Sequence, residues 1–206
     1  MKLLVIGATG PTGRELVEQA FAVGHRVMAA VRKSANFPAG VGLIATDVMN
    51  PASLLPAVRG QDAVLCALGS KLTFEATDLF SKGTSNLLNA MNQEGVRRLV
   101  CITGMGAGDS KGHGGFLYDK IFKPLLLKQI YLDKDRQEAL LRVSSVDWTI
   151  VRPAKLTNGK LTRHYRALTD LTGITMGEIS RADVAHFVLD CAQDPRALRQ
   201  TYNLTY

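Results

Sequence analysis

An α/β fold, a doubly wound parallel sheet with helices on both faces, is what the 206-residue sequence predicts, and three observations predict it. Short apolar stretches alternate with amphipathic ones along nearly the whole chain, the pattern of repeated strand–helix units. The opening segment KLLVIGATGPTG, residues 2–13, runs from a buried strand through a glycine turn into a helix. Arg32, Asp47 and Gly69 each fall at the carboxyl end of an expected strand, where an open α/β sheet places its ligand crevice. With no internal repeat, linker or low-complexity segment, residues 1–206 are expected to form one domain with a small C-terminal region on the substrate side.

Each element has its own signal. Leu3, Leu4, Val5 and Ile6 form an apolar run typical of a strand buried on both faces. Helical periodicity follows over 14–23, then a second buried strand, RVMAAV, over 26–31. A third strand is expected at 41–45. Pro51 starts a helix running to about Arg59, since proline suits the first helical turn. AVLCAL at 63–68 is the fourth strand, and 75–93 is an amphipathic helix with Leu79, Leu87, Leu88 and Met91 on one face. LVCIT at 99–103 is the fifth strand, and a long glycine-rich loop over 104–115 follows; loops of that length usually bind or cover something. Residues 116–143 have helical periodicity, interrupted at Pro124. A sixth strand is expected at 147–151, a short one at 174–179, and a helix at 181–191 with Ser180 as N-cap and Asp183 in the first turn. A last short strand is expected at 201–204.

The composition narrows the function classes. Hydrophobic residues are 46% and charged residues 21%, ordinary for a soluble globular chain. No apolar run approaches the ~18 residues a membrane span needs, and the first strand follows Met1-Lys2 at once, leaving no room for a secretory signal. Cys66, Cys101 and Cys191 lack metal-like spacing, so reduced core thiols and no metal are expected. Together these point to a cytoplasmic protein. The formal charge of +7 suits a basic surface or an anionic ligand. No Lys/Arg tract or aromatic-interleaved basic stripe supports nucleic-acid binding.

Gly7, Gly10 and Gly13 stand between a strand and a helix, the arrangement that binds a dinucleotide. A helix N-terminus offers N–H groups and a partial positive charge to a pyrophosphate, and glycine lets the backbone approach it. Near the end of the second strand an acidic residue would suit NAD. Here Arg32 and Lys33 occupy that position, with no Asp or Glu between Glu18 and Asp47, which favours the 2′-phosphate of NADP.

The motifs GATGPTG at 7–13, TDV at 46–48, LVCITGMG at 99–106, DWTIVRPA at 147–154 and ISRADVA at 179–185 resemble those of the atypical short-chain dehydrogenase/reductases. The nearest subgroup is the NAD(P)H-binding, NmrA-like set that includes biliverdin reductase B (flavin reductase). The resemblance covers nearly the whole chain. It implies that Gly7, Thr9, Gly10, Pro11, Thr12 and Gly13 cradle the pyrophosphate and that Arg32 binds the 2′-phosphate of NADP. It places Asp47 and Val48 at the adenine, and Leu68 and Gly69 at the adenosine and central phosphates. Thr103 and Gly104 would lie under the nicotinamide ribose, with Pro153 and Ala154 beside the ring.

The same resemblance exposes departures. The family's catalytic Tyr-x-x-x-Lys would put its lysine at Lys134, from the spacing to Glu138, but Ile130 stands where the tyrosine belongs. Tyr131 is one residue off, about 100° around a helix. Tyr118 is followed at the +4 position by Phe122, the serine position holds Thr103-Gly104, and the subgroup's Ser and His positions read Gly104 and Ala154-Lys155. The catalytic candidates are therefore Thr103 and Lys134. A complete cofactor site beside an incomplete acid–base set favours NADPH-dependent hydride transfer to a planar small molecule such as a flavin, quinone or tetrapyrrole, for which solvent can supply the proton. The alternatives are an NADP(H)-sensing binding protein and sugar-nucleotide epimerase chemistry; little chain follows Pro153 to build the latter's substrate domain. The acceptor pocket is expected between 105–122 and 155–171, walled by Arg152, Lys155, Arg163 and Arg166. Nothing sets the oligomeric state.

Overall fold

The order of strands across the main sheet follows from which residues can be buried on both faces. In the computed structural model, which describes residues 1–70, 75–113, 127–175 and 177–206, β1 (Lys2–Ile6) lies inside the sheet, between two other strands. Leu3 and Val5 join one core, while Leu4 and Ile6 join the other. The same alternation holds in β4 (Ala63–Cys66) and β5 (Arg98–Ile102), whose odd and even residues divide between the two cores. A strand with no polar face must be covered twice, and it is.

The first core lies under α1 (Pro11–Ala22) and α5 (Arg181–Gln193), joined by a bond from Gln19 Nε2 to the Ala182 carbonyl at 3.0 Å. The second lies under α2 (Pro51–Val58), α3 (Leu79–Glu94) and α4 (Lys128–Val143). The sheet runs β3-β2-β1-β4-β5-β6-β10-β8, with β2 (Arg26–Val31), β3 (Gly42–Ala45), β6 (Asp147–Pro153) and β10 (Gln200–Thr205) parallel to β1 and the edge strand β8 (Arg166–Leu168) antiparallel. The connections reverse direction between β1 and β4, so the crevice opens at their carboxyl ends.

Most expected elements are present, with shifted ends. Helix α1 starts at Pro11, three residues before the periodicity registers, because its first turn carries no apolar side chain of the buried stripe beyond Gly13. Strand β4 ends at Cys66, and α3 begins at Leu79 rather than near Glu75. The expected interruption at Pro124 and the residues Tyr118 and Phe122 lie outside the described residues. The C-terminal part holds three short strands. β8 (Arg166–Leu168) pairs antiparallel with β10, while β7 (Lys155–Thr157) pairs with β9 (Glu178–Ser180) as a separate two-stranded sheet. Strands of three residues are too short to show alternation, which is why β7 and β8 have no sequence signal.

Asp183 organises this region. Its buried carboxylate accepts from the backbone N–H of Thr162 and Arg163, from the hydroxyls of Thr162 and Ser180, and from Tyr206 Oη, all at 2.8–2.9 Å. Ser180 Oγ accepts from Asp183 N at 3.0 Å, the expected N-cap.

Candidate functional site

A cleft of about 830 Å³ lies at the carboxyl ends of β1, β2, β4 and β5, within the ~300–1,000 Å³ range of small-molecule sites. Its floor is the turn from β1 into α1. Gly7 has φ +77°, and a Cβ there would sit 2.7 Å from the Ala67 carbonyl carbon, so β1 and the end of β4 can close only around glycine. A Cβ on Gly13 would come within 2.8 Å of the Gly7 carbonyl carbon. The turn is held by a Gly10 N–H bond to the Gly7 carbonyl at 3.0 Å. Gly10, Pro11 and Thr12 line the cleft; the α1 N-terminus has no side-chain cap and no acidic residue in its first turn. Those features fit an anionic pyrophosphate: a helix N-terminus offers its N–H groups at the cleft, no side chain caps it, and no carboxylate stands in its first turn. Thr9 also lines the cleft, whereas Gly13 sits behind it and lets the helix pack.

At one end Arg32 projects from the end of β2, exposed, into the same cleft. Asp47 and Val48 follow β3. Asp47 Oδ1 accepts from Met49 N–H and its own N–H bonds Ser53 Oγ, both at 3.0 Å, so this carboxylate shapes a turn as well as lining the cleft. Val48 is buried, and its carbonyl accepts from Asn86 Nδ2 at 2.8 Å. Leu68 and Gly69 line the wall after β4; a Cβ on Gly69 would meet no atom of the described residues within 4 Å.

At the other end stand Thr103, Phe80, Tyr131 and Lys134. Lys134 Nζ donates to the Thr103 carbonyl and lies 5.2 Å from the Phe80 ring centroid and 5.8 Å from that of Tyr131. Burial pulls its pKa down to about 8, against the opposing pull of Cys101, Glu138 and Cys66. The Thr103 hydroxyl does not face the cleft as a donor: it is buried and donates to Glu138 Oε1 at 2.8 Å.

The expectation that Tyr131 turns away is corrected by the geometry. A Cβ built on Gly104 would lie 3.2 Å from Lys134 Nζ and 3.3 Å from Tyr131 Oη, so both polar groups stand over this glycine. Residues three apart share a helix face, and that i,i+3 spacing was a readable signal. Ile130 is buried on the cleft wall. Gly104 itself lies beneath this pair. Pro153 and Ala154 do not line the cleft: Pro153 O accepts from Met105 N–H at 3.0 Å, and Ala154 packs with Met105 and Leu171 in a small core of its own.

Of the basic wall expected beyond the sheet, Arg152 is corrected, and residues 114–122 of the facing segment lie outside the described residues. Arg152 is 1% exposed and bonds Glu138, so it offers no charge to a ligand. Lys155 pairs with Glu178 at 3.7 Å, and Arg166 bonds the Tyr206 carbonyl at 2.8 Å. Arg163, exposed at φ +60°, has its N–H on Asp183. The cleft-lining cation missed by sequence reasoning is Arg181, the first residue of α5, which bonds Asn158 Oδ1 at 2.6 Å. Among the described residues, no group of three His, Cys, Asp or Glu side chains could hold a metal ion, and no helix is long and apolar enough to cross a membrane.

Comparison with known proteins bears on the family and the fold. A family model described as NAD(P)H-binding matches residues 7–195. An uncharacterised chloroplast protein of Arabidopsis thaliana is 30% identical over 92% of this chain and 71% of its own length. A photosystem II assembly factor of Synechocystis, Ycf39, is 27% identical over 98% of the chain, which spans 61% of that relative's length. Among solved structures, ChuY, an anaerobilin reductase of Escherichia coli, superposes with a TM-score of 0.83 at 22% identity, covering 100% of this chain and 97% of its own.

Proposed function

The chain belongs to the NAD(P)H-binding family, and from that premise we propose that it is an NADPH-dependent reductase acting on a planar small-molecule acceptor such as a flavin, quinone or tetrapyrrole. The observation that carries the reading is one cleft joining an uncapped helix N-terminus and Arg32 at one end to Lys134 and Tyr131 at the other. NADPH, when bound, supplies the hydride. The chain's residues supply the rest. The α1 N-terminus and the glycine turn receive the pyrophosphate, and Arg32 offers a bidentate donor set to a 2′-phosphate. Lys134, tied to the Thr103 carbonyl, is placed to hold ribose hydroxyls. Tyr131 Oη beside that ammonium can give a proton to the acceptor, a role the cation favours by stabilising the phenolate left behind. Phe80 and Ile130 exclude water from the same end. The likeness to an anaerobilin reductase supports a tetrapyrrole as one acceptor to test. A cytoplasmic setting, with its NADPH supply, fits three buried free cysteines.

A second reading, a cofactor-dependent binding protein with little turnover, is favoured by one observation. The Thr103 hydroxyl is committed to Glu138, which removes a donor from the reaction site. The likeness to an assembly factor agrees with it.

The test is a titration with NADPH and NADH followed by a panel of flavins, quinones and linear tetrapyrroles. Arg32→Glu is expected to weaken NADPH binding by roughly tenfold to a hundredfold, the loss of a charge-assisted pair, and to leave NADH nearly unchanged. Equal losses for both cofactors would remove the NADP assignment. NADPH binding without oxidation by any acceptor would select the second reading.

A further inference from the structure

We propose that Arg152 and Glu138 are positioning residues that lock the glycine-rich loop after β5 to helix α4 and so hold Lys134 in the cleft. This rests on the reductase reading only for its consequence, since the placement is independent of turnover.

Arg152 is the largest fully buried side chain among the described residues, standing near the end of β6. Its Nε donates to Glu138 Oε1 at 2.9 Å and its Nη2 to Oε2 at 2.5 Å, a bidentate pair buried on both sides. Its Nη1 donates to Asp109, whose own side chain is exposed. The three residues come from β6, α4 and the loop, so one guanidinium joins all three. Glycine is required at the crossing: Gly108 has φ +55°, and a Cβ there would lie 2.9 Å from Glu138 Oε2 and 3.3 Å from Arg152 Cζ. Helix α4 grips the loop a second time, through Asp135, which accepts from Gly108 N–H at 2.7 Å and pairs with Lys111 at 2.6 Å.

The consequence reaches the cleft through Glu138. It accepts the Thr103 hydroxyl, and the carbonyl of the same Thr103 accepts from Lys134 Nζ. Glu138 and Lys134 stand one turn apart on the same face of α4, Glu138 in the lock and Lys134 at the cleft. Fixing Glu138 on Arg152 fixes both the acceptor carbonyl and the helix that carries Lys134. A buried charge left unpaired is costly, so the lock resists partial opening from within; its exposed leg, Asp109, is the one water can compete for. The groups facing Lys134 are Glu138 and Tyr131 from α4, Cys101 from β5 and Cys66 from β4.

Competitive acetylation of lysines in the cofactor-free protein, read by mass spectrometry across about pH 6 to 10, follows the ionisation of Lys134 without any turnover. Glu138→Gln is expected to move that ionisation to lower pH by about half a unit or more, because an attracting carboxylate is lost. Arg152→Lys cannot span Glu138 and Asp109 together, so water enters and the ionisation moves up. Should Arg152→Lys fail to fold, Asp109→Asn, at an exposed position, tests the same lock and is expected to give a smaller upward move. With an active acceptor, kcat in Arg152→Lys falls roughly tenfold, the scale of sub-ångström misplacement. A Lys134 profile that superimposes on the wild type in every folded variant overturns the proposal, even if melting temperatures drop. A shifted profile in a protein that reduces nothing leaves the lock standing and removes the reductase reading; reduction with an unshifted profile does the reverse.

Discussion

Lys134 is the cleft residue whose protonation burial shifts. Below about pH 8 its ammonium is charged in the folded and unfolded chain alike, and the cost of burying it is fully present. Between about pH 8 and its usual 10.5 the folded chain releases a proton that the unfolded chain keeps. Stability therefore rises with pH across that window. Urea unfolding of the cofactor-free protein at intervals through the window should show the rise, and Lys134→Met should flatten it. NADPH affinity should move the opposite way, weakening above about pH 8 as the cation is lost. The glycine turn makes a second prediction at this scale. Gly13→Ala would drive a methyl group to within 2.8 Å of the Gly7 carbonyl carbon. We expect a loss of ~1–3 kcal/mol in urea unfolding together with weaker NADPH binding, because the turn that receives the pyrophosphate must open to relieve the clash.

At the scale of elements, α5 depends on its start. Asp183 gathers five donors there, and the hydrogen bonds from Arg163, Tyr206 and Thr162 hold its carboxyl below the usual range despite burial. A depressed pKa of this kind contributes stability above the unfolded pKa of ~3.9 that is lost as pH falls through the folded value. Asp183→Asn should shrink the acid-induced loss of stability and free the 158–165 connection, which amide exchange at Thr162 and Arg163 would report. Ser180→Ala, which removes only the cap, should cost ~1 kcal/mol. This element was readable from sequence because a cap and an amphipathic stripe are local signals. The alternating strands were readable for the same reason, and so was the strand–turn–helix floor of the cleft, since its glycines and Arg32 are placed by their positions in the chain. The far end of the cleft was not. Whether Arg152 faces a ligand or Glu138 depends on β6 meeting α4, and whether Thr103 offers its hydroxyl depends on the same meeting. Tyr131 was missed because it was compared with a four-residue spacing when three residues also share a helix face.

For the whole molecule, the formal charge of +7 and a cleft lined by Arg32, Lys134 and Arg181 favour an anionic visitor. Association of NADPH should slow as salt rises from low levels to about 0.5 M, as stopped-flow quenching would show. Cofactor at a hundred times its Kd should raise the unfolding free energy by about 2.7 kcal/mol. The strand order carries one more consequence. β10 is the last strand in chain order yet lies inside the sheet, parallel to β6 and holding β8 at its far side. During synthesis, then, β6 waits with an open edge while some fifty residues are made, and the nascent sheet is a template for the wrong partner until Gln200–Thr205 leaves the ribosome and docks.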